Sequence, residues 1–154
     1  MIAVLQRVKR AAVSVDGSVV GECGEGLYVL LGVSREDTDR DAEVLAEKVV
    51  NLRIFTDEND KMNLSLLNID GEMLVVSNFT LLAAYRKGKR PDYMAAAAPN
   101  EADRLYKYFT ELCKKNVKKV ATGEFGAHMI TDMQTDGPVT IVVDSKVLLK
   151  TKND

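Results

Sequence analysis

Residues 27–33, L-Y-V-L-L-G-V, form an almost wholly apolar run that most constrains what this chain can fold into. A strand with apolar side chains on both faces has to be covered on both faces, so it belongs at the centre of a sheet. Alternating segments at 2–8 and 11–15 precede it, and Asp16-Gly17 predicts a tight hairpin turn into a partner strand at 18–21. The N-terminal part therefore predicts a buried strand with hairpin neighbours.

Two other segments have the spacing of amphipathic helices. Residues 38–52 place Ala42, Leu45 and Val49 on one face, with charged residues opposite. A second helix opens at Asn100 or Pro99 and presents an apolar face that includes Leu105 and Phe109. Further strands are predicted at 53–55, 73–77, 117–121, 127–133 and 139–143. This pattern predicts an α+β fold: a mostly antiparallel, barrel-like sheet with two main helices, in a single domain over 1–154 with a charged tail from about 146.

Charge and cysteine content limit the function classes. A net charge of −2 and a pI of about 5.5 argue against a long nucleic-acid footprint but leave room for a small one. The two cysteines, Cys23 and Cys113, have no paired spacing, which favours a reducing compartment and predicts neither disulfide nor zinc site. No leader or membrane-spanning segment is evident, so we expect a cytoplasmic protein without metal or cofactor.

The residues alone leave the chemistry open. A Ser-His-Asp or Cys-His arrangement would require the sole histidine, His128, for which a surface or loosely packed position is the more common outcome. The segment S-N-F-T-L at 77–81 is suited to a pocket wall or to a plain turn. The segment T-D-G-P-V-T at 135–140 suits a backbone clamp or a turn. The basic stretch 86–90 suits phosphate contacts or a solvated loop.

Several of these segments occur together and in a fixed order: S-N-F-T-L at 77–81, R-K-G-K-R-P at 86–91, G-E-F-G at 123–126 and D-G-P-V-T at 136–140. The segments V-L-Q-R-V, N-L-R-I-F and K-M-N-L-S-L agree as well. In this ordered set the chain resembles the D-aminoacyl-tRNA deacylases, formerly called D-tyrosyl-tRNA deacylases, from residue 1 to about 145. The resemblance implies a hydrolase that removes D-amino acids from mischarged tRNA.

The resemblance also implies the catalytic residues, which are Ser77, Asn78, Phe79 and Thr80. Backbone N–H groups near Asn78 and Phe79 are expected to stabilise the ester oxyanion. A threonine nucleophile needs an activating base, and none is evident near Thr80 in sequence. We therefore expect Thr80 to position the substrate while the adenosine 2′-OH helps to activate water.

Chiral selection is implied for the Gly-Pro segment. The family resemblance implies a homodimer in which Gly137 and Pro138, joined by a cis bond, reach into the partner's site and bind the α-ammonium. A D side chain then points to solvent, an L side chain clashes, and glycine passes. Phe125 is expected to stack on the adenine, Arg7 to pin the Gly-Pro loop, and Met129 to flank the pocket. The implied partners are the tRNA acceptor end, carrying a D-amino acid or glycine, and a second copy of the chain, with no membrane.

Two positions depart from the family's usual motif. Asn78 stands where the family usually has Gln, and Thr135 stands where it usually has Asn, two residues before Gly137. These departures keep alternatives open: an inactive module that binds the tRNA end, and a related deacylase with relaxed chirality. A general esterase that uses His128 is a third. The intact G-P-V-T at 137–140 favours the D-selective enzyme.

Overall fold

The structure, a computed structural model, describes residues 1–150. In chain order its elements are β1 Ile2–Val15, β2 Ser18–Cys23, β3 Gly26–Gly32, α1 Asp39–Asn51, β4 Phe55–Thr56, β5 Met62–Leu64, β6 Glu72–Ser77, a 3-10 turn Phe79–Leu82, α2 Pro99–Lys114, β7 Val120–Thr122, β8 Ile130–Asp144 and α3 Ser145–Leu149.

The main sheet is mixed and nearly closed. Its order is β2-β1-β3-β6-β7, and β8 pairs with β1. The pairs of β1 with β2, β3 and β8 are antiparallel, as is β4 with β5, whereas β3–β6 and β6–β7 are parallel. The two ends approach so closely that a Cβ on Gly21 of β2 would lie 2.1 Å from the Thr122 carbonyl of β7. The α+β fold with a mostly antiparallel, barrel-like sheet is therefore confirmed.

The apolar run lies where the sequence places it, at the centre of the sheet. All residues of β3 except Leu30 are buried. Leu27, Val29 and Leu31 pack into a core shared with α1 and α2 on one face, and Tyr28 packs into a second core inside the curled sheet. Two cores on opposite faces of one strand explain why it is apolar at nearly every position.

Several element boundaries differ from the prediction. The strands predicted at 53–55 and 117–121 are the shorter β4, Phe55–Thr56, and β7, Val120–Thr122. The segments 2–8 and 11–15 are one strand, and the segments 127–133 and 139–143 belong to a single β8 that begins at Ile130. In both cases β1 and β8 pair on either side of the polar interval, so each strand continues past an irregular stretch. The charged tail contains a third helix, α3, and residues 151–154 of that tail lie outside the described part.

A buried polar junction fixes α3 against α1. The Ser145 hydroxyl donates to the Asp41 carboxylate at 2.7 Å, and Lys146 Nζ lies 2.8 Å from the same carboxylate. Burial raises the pKa of Asp41, but hydrogen bonds from Lys146, Ser145 and the Thr38 amide outweigh it and hold that pKa well below its usual range. Long-range partners of this kind are not visible in a local sequence pattern, which is why α3 was not predicted.

Within residues 1–150, none of the helices combines the length and apolar character needed to cross a membrane.

Candidate active site

A cleft of about 770 Å³ lies where the end of β6, the start of α2 and the segment before β8 meet. Its floor comes from β3 and β6, through residues such as Leu30 and Val76. Its other lining residues include the predicted site residues Ser77, Asn78, Phe79, Thr80, Phe125 and Met129. A cleft of this volume falls in the range of small-molecule sites.

The cleft is built around a tight turn at the end of β6. After Ser77 the chain enters a 3-10 turn in which the Asn78 side chain caps the Thr80 amide. Its Oδ1 accepts a hydrogen bond from Thr80 N at 3.2 Å and another from the Thr80 hydroxyl. Gly32 of β3 lets the turn lie close, since a Cβ there would stand 2.6 Å from Leu82 Cδ2 and 3.1 Å from the Asn78 carbonyl oxygen.

The hydrogen bonds of this turn leave one backbone donor free. The Asn78 N–H donates to the Leu31 carbonyl at 2.8 Å, and the Thr80 N–H is taken by the Asn78 side chain. Within residues 1–150 the Phe79 N–H makes no hydrogen bond. Phe79, rather than Asn78, is thus the residue whose amide is available to a developing oxyanion.

The Thr80 hydroxyl is oriented but not activated. It donates to the Asn78 amide oxygen, which has no capacity to take up a proton at neutral pH. A hydroxyl nucleophile requires a base. This arrangement fits a positioning role, in which the Thr80 oxygen accepts a hydrogen bond from the substrate.

Aromatic rings line two sides of the cleft. Phe79 and Tyr93 meet edge to face with ring centroids 5.1 Å apart, and Phe79 is 56% exposed. Phe125 lies against Tyr106 at 6.1 Å. The Tyr106 hydroxyl donates to the Val75 carbonyl at 2.7 Å, and burial raises its pKa to about 12, so it holds the wall in place as a neutral phenol.

The polar residues that offer alternative chemistry are poorly placed for it. His128 lies exposed at the cleft and, within residues 1–150, makes neither a side-chain hydrogen bond nor an ion pair. Burial raises the pKa of the Cys23 thiol to about 11 and that of Cys113 to about 12, and neither lines the cleft. Both thiols are therefore protonated at neutral pH and unsuited to nucleophilic attack.

The Gly-Pro segment bulges out of β8. Gln6 of β1 pairs with Thr140 and Val8 pairs with Thr135, so four residues of β8 face the single residue Arg7. The Gly137–Pro138 peptide bond is cis, and both residues are exposed. The bulge lies opposite Arg7, and the neighbouring β1 residue Gln6 pairs with Tyr28 of β3, which lines the cleft. Gly137 and Pro138 themselves do not line the cleft of their own chain.

Arg7 pins this bulge to the body of the protein. Its Nε donates to the Asp136 carbonyl at 2.9 Å, and its Nη1 donates to the Ile54 carbonyl at 2.9 Å. The Asp136 carboxylate lies 3.4 Å from the same Nε, and the Arg7 side chain is only 11% exposed. A guanidinium with donors aimed at two chain segments fixes their separation.

One chain therefore brings together only part of the predicted site. The motif at 77–80, Phe125 and Met129 share the cleft, whereas Gly137, Pro138 and Arg7 lie outside it. The sequence-based prediction missed Tyr93, Tyr28 and Thr131, which also line the cleft. Tyr93 lies two residues after the R-K-G-K-R-P segment at 86–91, and that proximity was the available signal.

Comparison with known proteins gives a consistent result. The family model for D-Tyr-tRNA(Tyr) deacylase matches residues 4–144. A D-aminoacyl-tRNA deacylase from Caldicellulosiruptor saccharolyticus is 59% identical over 146 residues, which cover 95% of this chain and 98% of that protein. A D-aminoacyl-tRNA deacylase from Dehalococcoides mccartyi is 57% identical over 146 residues and 95% of each chain.

Solved structures resemble the fold as well. A structure described as a c-Myc DNA unwinding element binding protein superposes with a TM-score of 0.88 at 41% identity, covering 94% of this chain and 98% of that one. A structure described as a probable eukaryotic D-amino acid tRNA deacylase has a TM-score of 0.79 at 18% identity and covers 93% and 98% of the two chains. The second likeness concerns the fold alone.

Proposed function

This chain belongs to the D-Tyr-tRNA(Tyr) deacylase family, and on that premise we propose that it hydrolyses the ester bond of D-aminoacyl-tRNA, releasing the D-amino acid and free tRNA. The observation that carries the proposal is the Asn78-capped turn, which offers a free Phe79 N–H and an oriented Thr80 hydroxyl in one cleft. Ester hydrolysis needs these groups: a donor for the oxyanion and a polar group that holds the substrate.

The terminal adenosine of the tRNA occupies the cleft. Phe125 stacks on its adenine, an interaction worth about 1–3 kcal/mol per base. Met129 packs beside Gly123, where a Cβ would stand 2.6 Å from the Met129 Sδ, and it closes the pocket next to the base. The ester carbonyl then lies at the 77–80 turn.

The reaction is assisted by the substrate. The adenosine 2′-OH accepts a hydrogen bond from a water molecule and orients it for attack on the ester carbon. As the water oxygen attacks, a water proton passes to the 2′ oxygen and the 2′ hydroxyl proton passes on to the 3′ oxygen. The Phe79 N–H stabilises the oxyanion, and Thr80 holds the reacting groups in place. Collapse of the intermediate breaks the bond to the 3′ oxygen, which leaves with the proton. No side chain becomes covalently attached in this route.

Chiral selection comes from a second copy of the chain. In the homodimer, the exposed bulge of one protomer enters the cleft of the other, and the carbonyls of Gly137 and Pro138 accept hydrogen bonds from the substrate α-ammonium. The clamp fixes the stereocentre, so a D side chain points to solvent and an L side chain collides with the bulge. Glycine has no side chain, so glycyl-tRNA mischarged on tRNA(Ala) is also a substrate.

The outer surface of β8 supports this assembly. Ile130 and Val142 are 64% and 67% exposed, and β8 pairs with β1 on one side only. An exposed edge strand with apolar side chains is suited to pairing with another chain. A strict monomer in solution contradicts the cross-subunit clamp.

The first experiment compares D- and L-tyrosyl-tRNA as substrates. We expect rapid release of D-tyrosine and little release of L-tyrosine, with the Thr80→Val variant slowed at least about tenfold and Thr80→Ser largely active. Binding of tRNA without turnover identifies an inactive tRNA-end module, and equal rates on both enantiomers remove the chiral clamp. Loss of activity in His128→Ala supports the general esterase instead.

A second experiment tests the cross-subunit arrangement by complementation. In Gly137→Ala the new Cβ would lie 2.2 Å from the Val139 amide nitrogen, so the clamp is disrupted. A Thr80→Ala chain has a damaged cleft and an intact clamp. Mixed dimers of the two variants contain one intact site, so D-selective activity returns on mixing if the clamp acts between subunits. No recovery in verified mixed dimers refutes that arrangement.

A further inference from the structure

The loop between the 3-10 turn and α2 carries an unusual local charge. Arg86, Lys87, Lys89 and Arg90 lie within five residues of a chain whose net charge is −2. All four are exposed, and within residues 1–150 none has a carboxylate within 4.0 Å. Most other exposed cations on α1 and α2, such as Lys107 and Lys114, are paired with a neighbouring acid. The loop therefore offers unneutralised positive charge.

The base of this loop is held in place beside the cleft. Ala84 and Asp92 exchange two backbone hydrogen bonds of 2.7 Å, which close the loop on itself. Asp92 also accepts from the Met94 amide at 2.7 Å, so the segment that leads into the cleft is ordered by its own hydrogen bonds. Tyr93 follows immediately and lines the cleft.

Exposed aromatic residues flank the four cations in the chain, Tyr85 before them and Tyr93 after them. Tyr93 is 36% exposed and contacts Phe79 edge to face at 5.1 Å, while Tyr85, the first residue of the loop, is 81% exposed. Exposed rings next to uncompensated cations are the combination that binds single-stranded nucleic acid, because bases stack on the rings and phosphates pair with the cations. Duplex binding requires no such rings.

We propose that the loop 85–91 and Tyr93 form a single-strand platform that binds the unpaired nucleotides immediately preceding the terminal adenosine of the tRNA. Tyr93 stacks on the nucleobase next to that adenosine, and the loop cations contact its phosphates. This proposal rests on the proposed function, which places the terminal adenosine itself against Phe125. It also explains how an acidic protein grips tRNA: the contact is short and confined to one basic loop.

The binding test uses a 5′-fluorescein-labelled RNA tetranucleotide with a 3′-terminal adenosine, followed by fluorescence anisotropy between 50 and 200 mM KCl. Each phosphate contact on a single strand contributes about 0.7 to the slope of log affinity against log salt, so K87A/K89A should reduce the slope by about 1.4. Tyr93→Ala should weaken binding about tenfold, and Tyr93→Phe, which keeps the ring, should bind within about twofold of the parent protein.

The matched control is K114A/K115A, which removes the same charge at the far end of α2, about 22 Å along the helix from Pro99 at the cleft. The control should leave the slope within about 0.3 of the parent value. The proposal is overturned if both double variants change the slope equally. It is also overturned if K87A/K89A weakens binding of whole tRNA but not of the tetranucleotide, because the loop then grips the duplex stem.

A kinetic test separates this proposal from the proposed function. The ratio of kcat/KM for D-tyrosyl-tRNA to that for 3′-D-tyrosyl-adenosine, which lacks upstream nucleotides, should fall about tenfold in K87A/K89A and stay constant in K114A/K115A. An unchanged ratio in an enzyme that hydrolyses both esters refutes the platform alone. Failure of the parent protein to hydrolyse either ester refutes the proposed function.

Discussion

Arg7 offers a sharp test of how the fold supports function, because it holds the Gly-Pro bulge without lining the cleft. The perturbation is Arg7→Met, which keeps an unbranched apolar stem and removes every donor. Both main hydrogen bonds of Arg7, to the carbonyls of Asp136 and Ile54 at 2.9 Å, are lost. The matched control is Arg10→Met on the same strand, since Arg10 is 57% exposed and has one ion pair, with Asp132 at 3.6 Å.

The magnitude follows from the burial of these groups. Hydrogen bonds from a charged donor contribute about 1.5–3 kcal/mol each, and partial access of water to Asp136 brings the expected loss for Arg7→Met to about 3 kcal/mol. For a chain of this size that loss lowers Tm by about 6–12 °C. An exposed single ion pair is worth less than about 1 kcal/mol, so Arg10→Met should shift Tm by less than about 4 °C.

Calorimetry measures the stability of both variants, and deacylation of D- and L-tyrosyl-tRNA measures the selectivity that we propose for the Gly-Pro bulge. We expect Arg7→Met to hydrolyse the L ester faster relative to the D ester, because an unpinned bulge no longer rejects the L side chain. Equal Tm shifts in the two variants would refute the assigned stability contribution of Arg7. An unchanged L-to-D ratio in a destabilised Arg7→Met protein would refute the link between this anchor and chirality.

Three further predictions concern the cleft and its support. Gly32→Ala should lower kcat about tenfold or more, because its Cβ would displace the Leu82 side chain and the Asn78 carbonyl. Gly24→Ala should leave kcat unchanged, because its Cβ would lie 3.4 Å from the nearest atom, Glu72 Oε2. Steady-state kinetics of both variants test this difference. Asn78→Ala removes the cap of the 3-10 turn and should lower the free energy of unfolding, measured by urea melts, by about 1 kcal/mol. In steady-state kinetics the same variant should reduce kcat by a larger factor than it raises KM. The pKa of Asp41 is lower in the folded protein than in the unfolded chain, so its ionised form stabilises the fold. This contribution is present above the unfolded pKa near 4 and is lost as pH falls toward the folded value. Urea melts should therefore show a steeper loss of stability below about pH 4 for the parent protein than for Asp41→Asn.

The sequence by itself determined the class of fold. The apolar run of β3 indicated a strand covered on both faces, and two cores do cover it. The periodicity of the sequence located α1 to within one residue at each end and the start of α2 to within one residue, because a helix that buries one face places apolar residues every three to four positions. The ordered motifs marked the residues of the cleft, since the turn at 77–80 is encoded by adjacent residues.

Only the tertiary structure decided which of those residues act together. The continuity of β1 and β8, the bulge opposite Arg7 and the α3 junction with Asp41 all depend on partners about 100 or more residues away in the chain. The assignment of the free amide to Phe79 required the bond from Asn78 N to the Leu31 carbonyl, which joins two strands. Local patterns report what a residue's immediate neighbours permit, whereas hydrogen-bond partners across a sheet are fixed by register, and register is a property of the folded chain.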